Sequence, residues 1–259
     1  MSIIYGPVPS WRLGRSLGID MVSTRSKTCS FDCIYCQLGS TVNRQADRQE
    51  FVSLDSLEHE LDALPPIEAD YATFSGVGEP SLASNIDQAI AMVRRSLHIP
   101  IAVLTNSSLL YQQSVREALA GADMVVAKLD APDDDLLAGI NRPVFDLSVK
   151  RLAEGIRSFR SIFDGKLAIQ LMFMQINQEK GPGLAEMAKT FFPDEIQINT
   201  PLRSCPVKPL NSFELSQISR SFSGFKHVIT VYDASKPTTI PLNQQQTERR
   251  RPEAKKNVR

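Results

Sequence analysis

Residues Lys27–Gly39, KTCSFDCIYCQLG, place three of the chain's four cysteines within eight residues at the spacing C-x3-C-x2-C, while Cys205 lies far downstream. Lys27, Ser30, Asp32 and Gln37 make the stretch too polar for a buried apolar run, which argues against thiols acting as small core residues. Thiolates this close can converge on one metal centre. Zinc motifs usually come as matched pairs, and no second C-x2-C or H-x3-H is present. A zinc site would therefore have to recruit Cys205, His59, His98 or His227. In most electron carriers a four-iron cubane takes four cysteines. Three thiolates leave one iron open, and an open coordination position is what a catalytic metal needs.

Outward from this loop, apolar runs of strand length alternate with amphipathic stretches, the pattern of a parallel sheet covered by helices. Strands are predicted at Leu17–Val22, Tyr71–Ser75, Ile101–Thr105, Met124–Leu129, Leu167–Phe173 and Glu195–Asn199. Helices are predicted around Leu54–Leu64, Ile86–Leu97, Gln112–Ala120, Asp146–Phe163, Leu184–Phe191 and Phe213–Phe222. In the fourth helix Phe145, Val149, Leu152, Ile156, Phe159 and Phe163 recur every three or four residues, so they share one face. Leu17 to Phe222 is 206 residues, about 34 per unit, close to the roughly 31 per unit of an eight-unit barrel. A six-unit partial barrel fits that length, and so does a flat doubly wound sheet. His227–Tyr232 reads as one further edge strand.

The 259 residues suffice for a substantial core, and 42% hydrophobic with 22% charged residues is the balance of a globular protein. No apolar run approaches the roughly 20 residues of a membrane span. The start MSIIYGPVPS has neither a basic leader nor a long apolar segment, so a cytoplasmic location with reduced thiols is expected. The chain divides into a core at 1–235 and a basic tail at 236–259, expected to be disordered. From Gln244 to Arg259 six basic and two acidic residues give +4, which leaves about −4 on the body of a chain of zero net charge.

The pattern C-x3-C-x-aromatic-C, here Cys29, Cys33, Tyr35 and Cys36, resembles the signature of the radical S-adenosylmethionine (radical SAM) superfamily. The resemblance implies a partial (β/α)6 TIM-like barrel. It also implies that Cys29, Cys33 and Cys36 hold a 4Fe-4S cluster whose fourth iron is chelated by S-adenosylmethionine (SAM), with Tyr35 near the adenine. A Gly-Gly-Glu-like turn after the second strand is implied too, and Ser75-Gly76-Val77-Gly78-Glu79-Pro80 stands there. Gly76, Gly78 and Glu79 are thereby expected to hold the methionine ammonium. Asn106 and Ser107, after the third strand, are candidates for the ribose or methionine carboxylate, or for a helix cap.

Lys128 and Asp130 fall on one face at the end of the fourth strand, as site residues or as a salt bridge. Gln170, Gln197 and Asn199 interrupt apolar runs and need partners, in internal networks or in a polar lumen. Arg12, Arg15, Arg142 and Arg203 lie beside Pro or Gly in predicted loops, suited to a phosphate or carboxylate or to pinning loops. Cys205 is a candidate hydrogen-atom donor or a spare thiol.

The segments YGPVPSWRLGRSLGID, FSGVGEPSL, LDA, INRP and NTPLR resemble a compact single-domain radical SAM family distantly related to the enzymes that build wyosine in tRNA. The implied function is an oxidoreductase-like enzyme that cleaves SAM reductively and forms a 5′-deoxyadenosyl radical to abstract hydrogen from a substrate. Its implied partners are a flavodoxin- or ferredoxin-like one-electron reductant and a substrate that is open between tRNA or a nucleobase, a peptide side chain and a small metabolite. The alternative is a zinc or closed iron-sulfur module that docks on RNA through its basic tail.

Overall fold

A computed structural model describes residues 2–252. The strands are β1 (Ile4–Ser10), β2 (Gly14–Ile19), β3 (Thr28–Cys29), β4 (Asn43–Arg44), β5 (Tyr71–Phe74), β6 (Ile101–Thr105), β7 (Met124–Lys128), β8 (Lys166–Met172), β9 (Glu195–Asn199) and β10 (Val228–Thr230). The helices are α1 (Leu54–Asp62), α2 (Ile86–Leu97), α3 (Gln113–Leu119), the short α4 (Asp134–Leu136), α5 (Val149–Arg160), α6 (Gly181–Lys189), α7 (Ser212–Ser219) and α8 (Gln244–Arg250). A π-helical turn, Leu137–Asn141, continues α4.

The eight-stranded sheet has the order β1-β2-β5-β6-β7-β8-β9-β10, antiparallel only between β1 and β2. This order never reverses. A doubly wound sheet reverses at its switch point, whereas a singly wound one keeps adding units in one direction and curls. The sheet is accordingly a curled partial barrel, and the strand order decides what periodicity left open.

Alternation divides the strands between two environments. Leu17, Ile19, Phe74, Val103, Val125 and Ile169 point outward into the main core under the helices. On the concave side Ala102, Met124, Val126 and Ala168 pack around Leu13, from the turn between β1 and β2, which fills one end of the lumen. Above this apolar floor the lumen turns polar, with Thr73, Gln170 and Gln197 all buried. On α5, Val149, Leu152, Ile156 and Phe159 are the buried face, as the spacing predicts, and Phe159 stacks on Phe163 at 4.6 Å. Ser148 accepts from Arg151 N and starts the helix later than Asp146.

Two elements differ from expectation. Pro7 and Pro9 disguise β1, but β1 is an edge strand, where proline is tolerated, and its register shifts between Tyr5 and Val8. The stretch expected to be a disordered tail from residue 236 contains α8, capped by Asn243. Arg250 on α8 is fully buried. Arg249 donates to the carbonyls of Thr24 and Arg25, so this part of the basic tail engages the body of the protein. The remainder of the expected tail, 253–259, lies outside the described residues. Among the described residues no helix is long and apolar enough to cross a membrane.

Candidate active site

The carboxyl ends of the parallel strands carry the polar residues singled out above. The cysteine loop follows β2, the Gly76–Glu79 turn follows β5, Asn106 follows β6, and Lys128 ends β7 with Asp130 just beyond it. A cleft of about 530 Å³ opens instead at the amino ends of β8 and β9, around Lys166, Asp194 and Glu195. Of the residues singled out above it holds only His227, far from the cysteine loop in sequence and without a second candidate ligand beside it.

The cysteine loop is fixed by backbone pairing on both sides. Asp32 N donates to Asn141 O at 2.9 Å, Ile34 N to Ile140 O at 3.0 Å and Val144 N to Ser30 O at 3.0 Å, which ties the loop to the π-turn and the residues after it. Asp32 accepts from Thr41 N at 2.6 Å and pairs with Arg44 at 2.9 Å, closing the loop behind the cysteines. On the other side Thr28 N donates to Val77 O and Glu79 N to Thr28 O, both at 3.2 Å. That contact explains Gly78, and the nearby Asp20 explains Gly76. A Cβ on Gly78 would stand 1.7 Å from Thr28 O, and one on Gly76 would stand 2.0 Å from the Asp20 carboxylate. Here the glycines admit neighbouring protein groups, a demand separate from any ligand contact.

All four thiols are free, with Cys29 buried and Cys33 and Cys36 half-buried. Burial, then the negative Glu79, pushes the Cys29 thiol up to about 12, and burial raises Cys33 as well. Nitrogen donors nevertheless face these sulfurs. Phe31 N and Asn106 Nδ2 approach Cys29 Sγ at 3.5 and 3.6 Å, and Asn141 Nδ2 approaches Cys33 Sγ at 3.5 Å. Donors of this kind tune the potential of cluster thiolates. An iron-sulfur core that displaced the thiol protons would supply the positive charge that offsets this burial. Among the described residues no three His, Cys, Asp or Glu side chains converge as a single ion requires. A cubane demands less convergence, because each thiolate takes its own iron, so the three cysteines fit a cluster better than zinc.

Asp130 is the node beside them. It accepts from Tyr35 OH, from Asn141 Nδ2 at 2.8 Å and from Met172 N at 2.9 Å, with Lys128 Nζ at 3.7 Å. Lys128 also sits 4.7 Å above the Tyr35 ring. Burial, and next the Asp130 charge, holds the Tyr35 phenol well above its ordinary value, so it stays a donor. Lys128 and Asp130 thus form a buried contact and orient Tyr35. Asn177 donates to the Asp130 and Met172 carbonyls at 2.9 Å and locks the end of β8 to this node.

Glu79 is buried and accepts from Thr105 Oγ1 and Asn106 N, both at 2.7 Å, and from Ser81 N at 3.1 Å. It holds the β5 turn against β6. Asn106 also donates to Ser30 Oγ at 2.9 Å and accepts from Ser108 N at 2.9 Å, so its amide reaches both the cysteine loop and its own turn. Ser107 sits at φ 69° with a buried hydroxyl that has no partner among the described residues. Gln170 accepts from Arg12, and Gln197 donates to Glu195 at 2.7 Å while its own Oε1 has no partner among the described residues. Asn199 accepts from Thr200 N.

Cys205 donates to Val207 O at 3.3 Å and packs with Tyr35, Ile140, Met172 and Met174 in the small apolar cluster that also touches Cys33. Arg15 pairs with Asp70 at 2.8 Å and with Glu68, which makes it a loop pin. Arg142 takes φ 49° at the end of the π-turn, a backbone role. Sequence reasoning missed Asn141 and Asn177. INRP gave one signal, an Asn before an Arg-Pro pair, but nothing marked it as a neighbour of Cys33.

The Radical SAM superfamily model matches residues 24–183, from just before the cysteine loop into α6. The chain belongs to the radical SAM superfamily. Its curated relatives include UPF0026 proteins of Methanocaldococcus jannaschii, 36% identical over 88% of this chain and 73% of the relative, and of Synechocystis, 40% identical over 79% and 77%. Among solved structures it is similar to the radical SAM enzyme TYW1 with a lysine-pyruvate adduct bound, at TM-score 0.62 and 13% identity over 81% of this chain and 73% of that one. The superfamily's cofactors are a 4Fe-4S cluster and SAM, and the chain is an enzyme of the radical SAM class.

Proposed function

We propose that this chain is a cytoplasmic radical SAM oxidoreductase in which Cys29, Cys33 and Cys36 hold the 4Fe-4S cluster and the fourth iron is left to SAM. The observation that carries the proposal is the loop itself: three thiols, with amide donors facing Cys29 and Cys33, in a loop tied to β5 and to the π-turn. When bound and reduced, cluster and SAM supply one-electron cleavage of a carbon-sulfur bond, giving methionine and a 5′-deoxyadenosyl radical that takes a hydrogen atom from the substrate. The electron comes from a flavodoxin- or ferredoxin-like donor.

The chain's own residues position, screen and hold. Phe31 N, Asn106 and Asn141 donate toward the sulfurs and favour their thiolate form. Asp130 and Lys128 fix the Tyr35 ring as the wall against which the adenine packs. Gly78 lets the β5 turn run against Thr28 at the start of the cysteine loop and Gly76 lets it pass Asp20, so that its carbonyls meet the methionine ammonium, and Glu79 holds that turn. The Ser107 hydroxyl and the Asn106 amide are placed for ribose or carboxylate. Cys205, packed beside Cys33, is within the site's apolar rim and is the one further thiol that can quench a radical.

The test is anaerobic reconstitution followed by iron and sulfide analysis and dithionite-driven turnover. The native protein is expected to hold about four irons and to form 5′-deoxyadenosine and methionine in equal amounts. Cys29→Ala, Cys33→Ala and Cys36→Ala are each expected to abolish this. Undiminished iron in the triple variant refutes the assignment.

A further inference from the structure

The proposed reaction leaves α8 without a task, although the helix ends on the two loops to which the cofactors are assigned. Its last turn touches the chain on both sides of the cysteines. Arg249 donates to the carbonyls of Thr24 and Arg25 at 2.6 and 2.9 Å, and Gln37, the residue after Cys36, donates to Arg250 O at 2.9 Å. The turn after β5 is reached as well. Arg251, just past the end of α8, donates to Ser75 Oγ at 3.1 Å. Arg250 Nε donates to Asp20 Oδ2 at 2.8 Å, and that same oxygen accepts from Val77 N, between the two glycines, at 3.2 Å. One carboxylate oxygen thus joins α8 to the glycine turn.

The helix itself is weakly rooted. Its sequence, QQQTERR, contains no apolar residue, and only Thr247 and Arg250 are buried. A helix of seven residues is too short to be stable alone. What holds it is hydrogen bonding and charge: the contacts above, Gly6 N donating to Thr247 Oγ1 at 3.1 Å, and the Arg250 guanidinium 5.0 Å over the Tyr5 ring. An element with so few buried apolar contacts opens locally at a cost below that of global unfolding. Its docking is therefore an equilibrium that a ligand at the adjoining loops can shift.

We propose that α8 is a latch on the cofactor site: its docking and SAM binding favour each other, with Arg250, Asp20 and Gln37 as positioning residues. Docked, Arg250 aims Asp20 at Val77 N and fixes the turn assigned to the methionine ammonium, while Gln37 and Arg249 fix the two ends of the cysteine loop. Released, α8 leaves Asp20 an unpaired charge that turns to water, and the turn loses this tie. Coupling between two equilibria is reciprocal, so whatever α8 lends to SAM, SAM returns to α8. The proposal rests on the radical SAM reading of the site. It goes beyond that reading because Asp20 and α8 both lie outside residues 24–183, which the superfamily model matches.

The test is equilibrium dialysis of SAM against the full-length, cluster-loaded protein, with hydrogen exchange of the α8 amides read with and without SAM and iron content measured in every sample. In the native protein SAM is expected to slow exchange at Thr247 and Arg251, whose amides donate to Asn243 O and Thr247 O, by about fivefold or more. Gln37→Ala removes one hydrogen bond to α8 and keeps the buried pair, and is expected to weaken SAM binding about threefold. Arg250→Met is expected to weaken it about tenfold. Arg160→Gln, which breaks the pair with Asp194 at the amino ends of the strands, is expected to leave it unchanged. If Arg250→Met does not fold, Gln37→Ala and the exchange rates decide. SAM affinity equal to native in Gln37→Ala, or α8 exchange indifferent to SAM, overturns the latch alone. Weakened binding that tracks lost iron places the effect on the cluster and overturns it too. A native protein that binds no SAM overturns the radical SAM reading and the latch together.

Discussion

Replacing Arg250 by methionine removes a guanidinium that is 0% exposed and leaves Asp20, 2% exposed, without its counter-charge. Arg250 donates to Asp20 at 2.8 Å, to Ser23 Oγ at 2.9 Å, to Gln246 at 3.1 Å and to Ser2 O, so one side chain joins α8 to both ends of the β1–β2 hairpin. In the variant Asp20 keeps only Val22 N and Val77 N, each at 3.2 Å. Breaking a buried pair from one side typically costs about 3–5 kcal/mol. The loss is capped by the free energy of docking α8, because a detached helix lets water reach Asp20. Urea unfolding of Arg250→Met is therefore expected to show a loss of about 2–5 kcal/mol. Asp20→Asn/Arg250→Met is expected to recover part of it, since neither partner is then a stranded charge. Acidity gives a second reading. Burial holds Asp20 above its ordinary 3.8 even with Arg250 opposing, and removing Arg250 raises it further. The native state then binds more protons than the unfolded chain, so stability falls as pH rises from about 4 through the folded value, by up to about 1.4 kcal/mol per pH unit. The slope extends over a wider window in the variant than in the native protein. An Arg250→Met protein within about 0.5 kcal/mol of the native one, with the same pH profile, would refute the docking of α8.

Glu79→Gln turns one of two accepting oxygens into a donor facing Asn106 N, Thr105 or Ser81 N, so urea unfolding is expected to show a loss of about 1–3 kcal/mol. Ser107→Gly relieves φ 69° and removes an unpartnered buried hydroxyl, so the cofactor-free protein is expected to gain about 1–2 kcal/mol. If the hydroxyl contacts SAM, the same variant binds SAM more weakly, measured by equilibrium dialysis of the cluster-loaded protein. A stability loss would contradict the strain.

The parallel strands were legible because both their faces are buried: Tyr71–Phe74, Ile101–Thr105 and Met124–Lys128 read as apolar runs without a competing helical period. Gln170 and Gln197 were legible as amides in need of partners, and the structure supplies Arg12 to the first and Glu195 to the second. The β1 hairpin was not, because Pro7 and Pro9 argue against a strand unless it is known to be an edge. The Cys29, Cys33 and Tyr35 environment was only half legible. Tyr35 meets Asp130 across 95 residues, and Asn141 meets Cys33 across 108, and local pattern carries no trace of such pairings. The same holds for Arg250 and Asp20, 230 residues apart, whose pairing places a helix where composition suggested a solvated tail.

The central claim is that three cysteines leave one iron for SAM. Electron-nuclear double resonance on the reduced, cluster-loaded protein with SAM labelled by ¹⁵N at the methionine amino group tests it most directly. The account predicts nitrogen hyperfine coupling to the cluster that vanishes when SAM is left out. A four-iron signal indifferent to SAM, or a protein that holds only zinc, would contradict it.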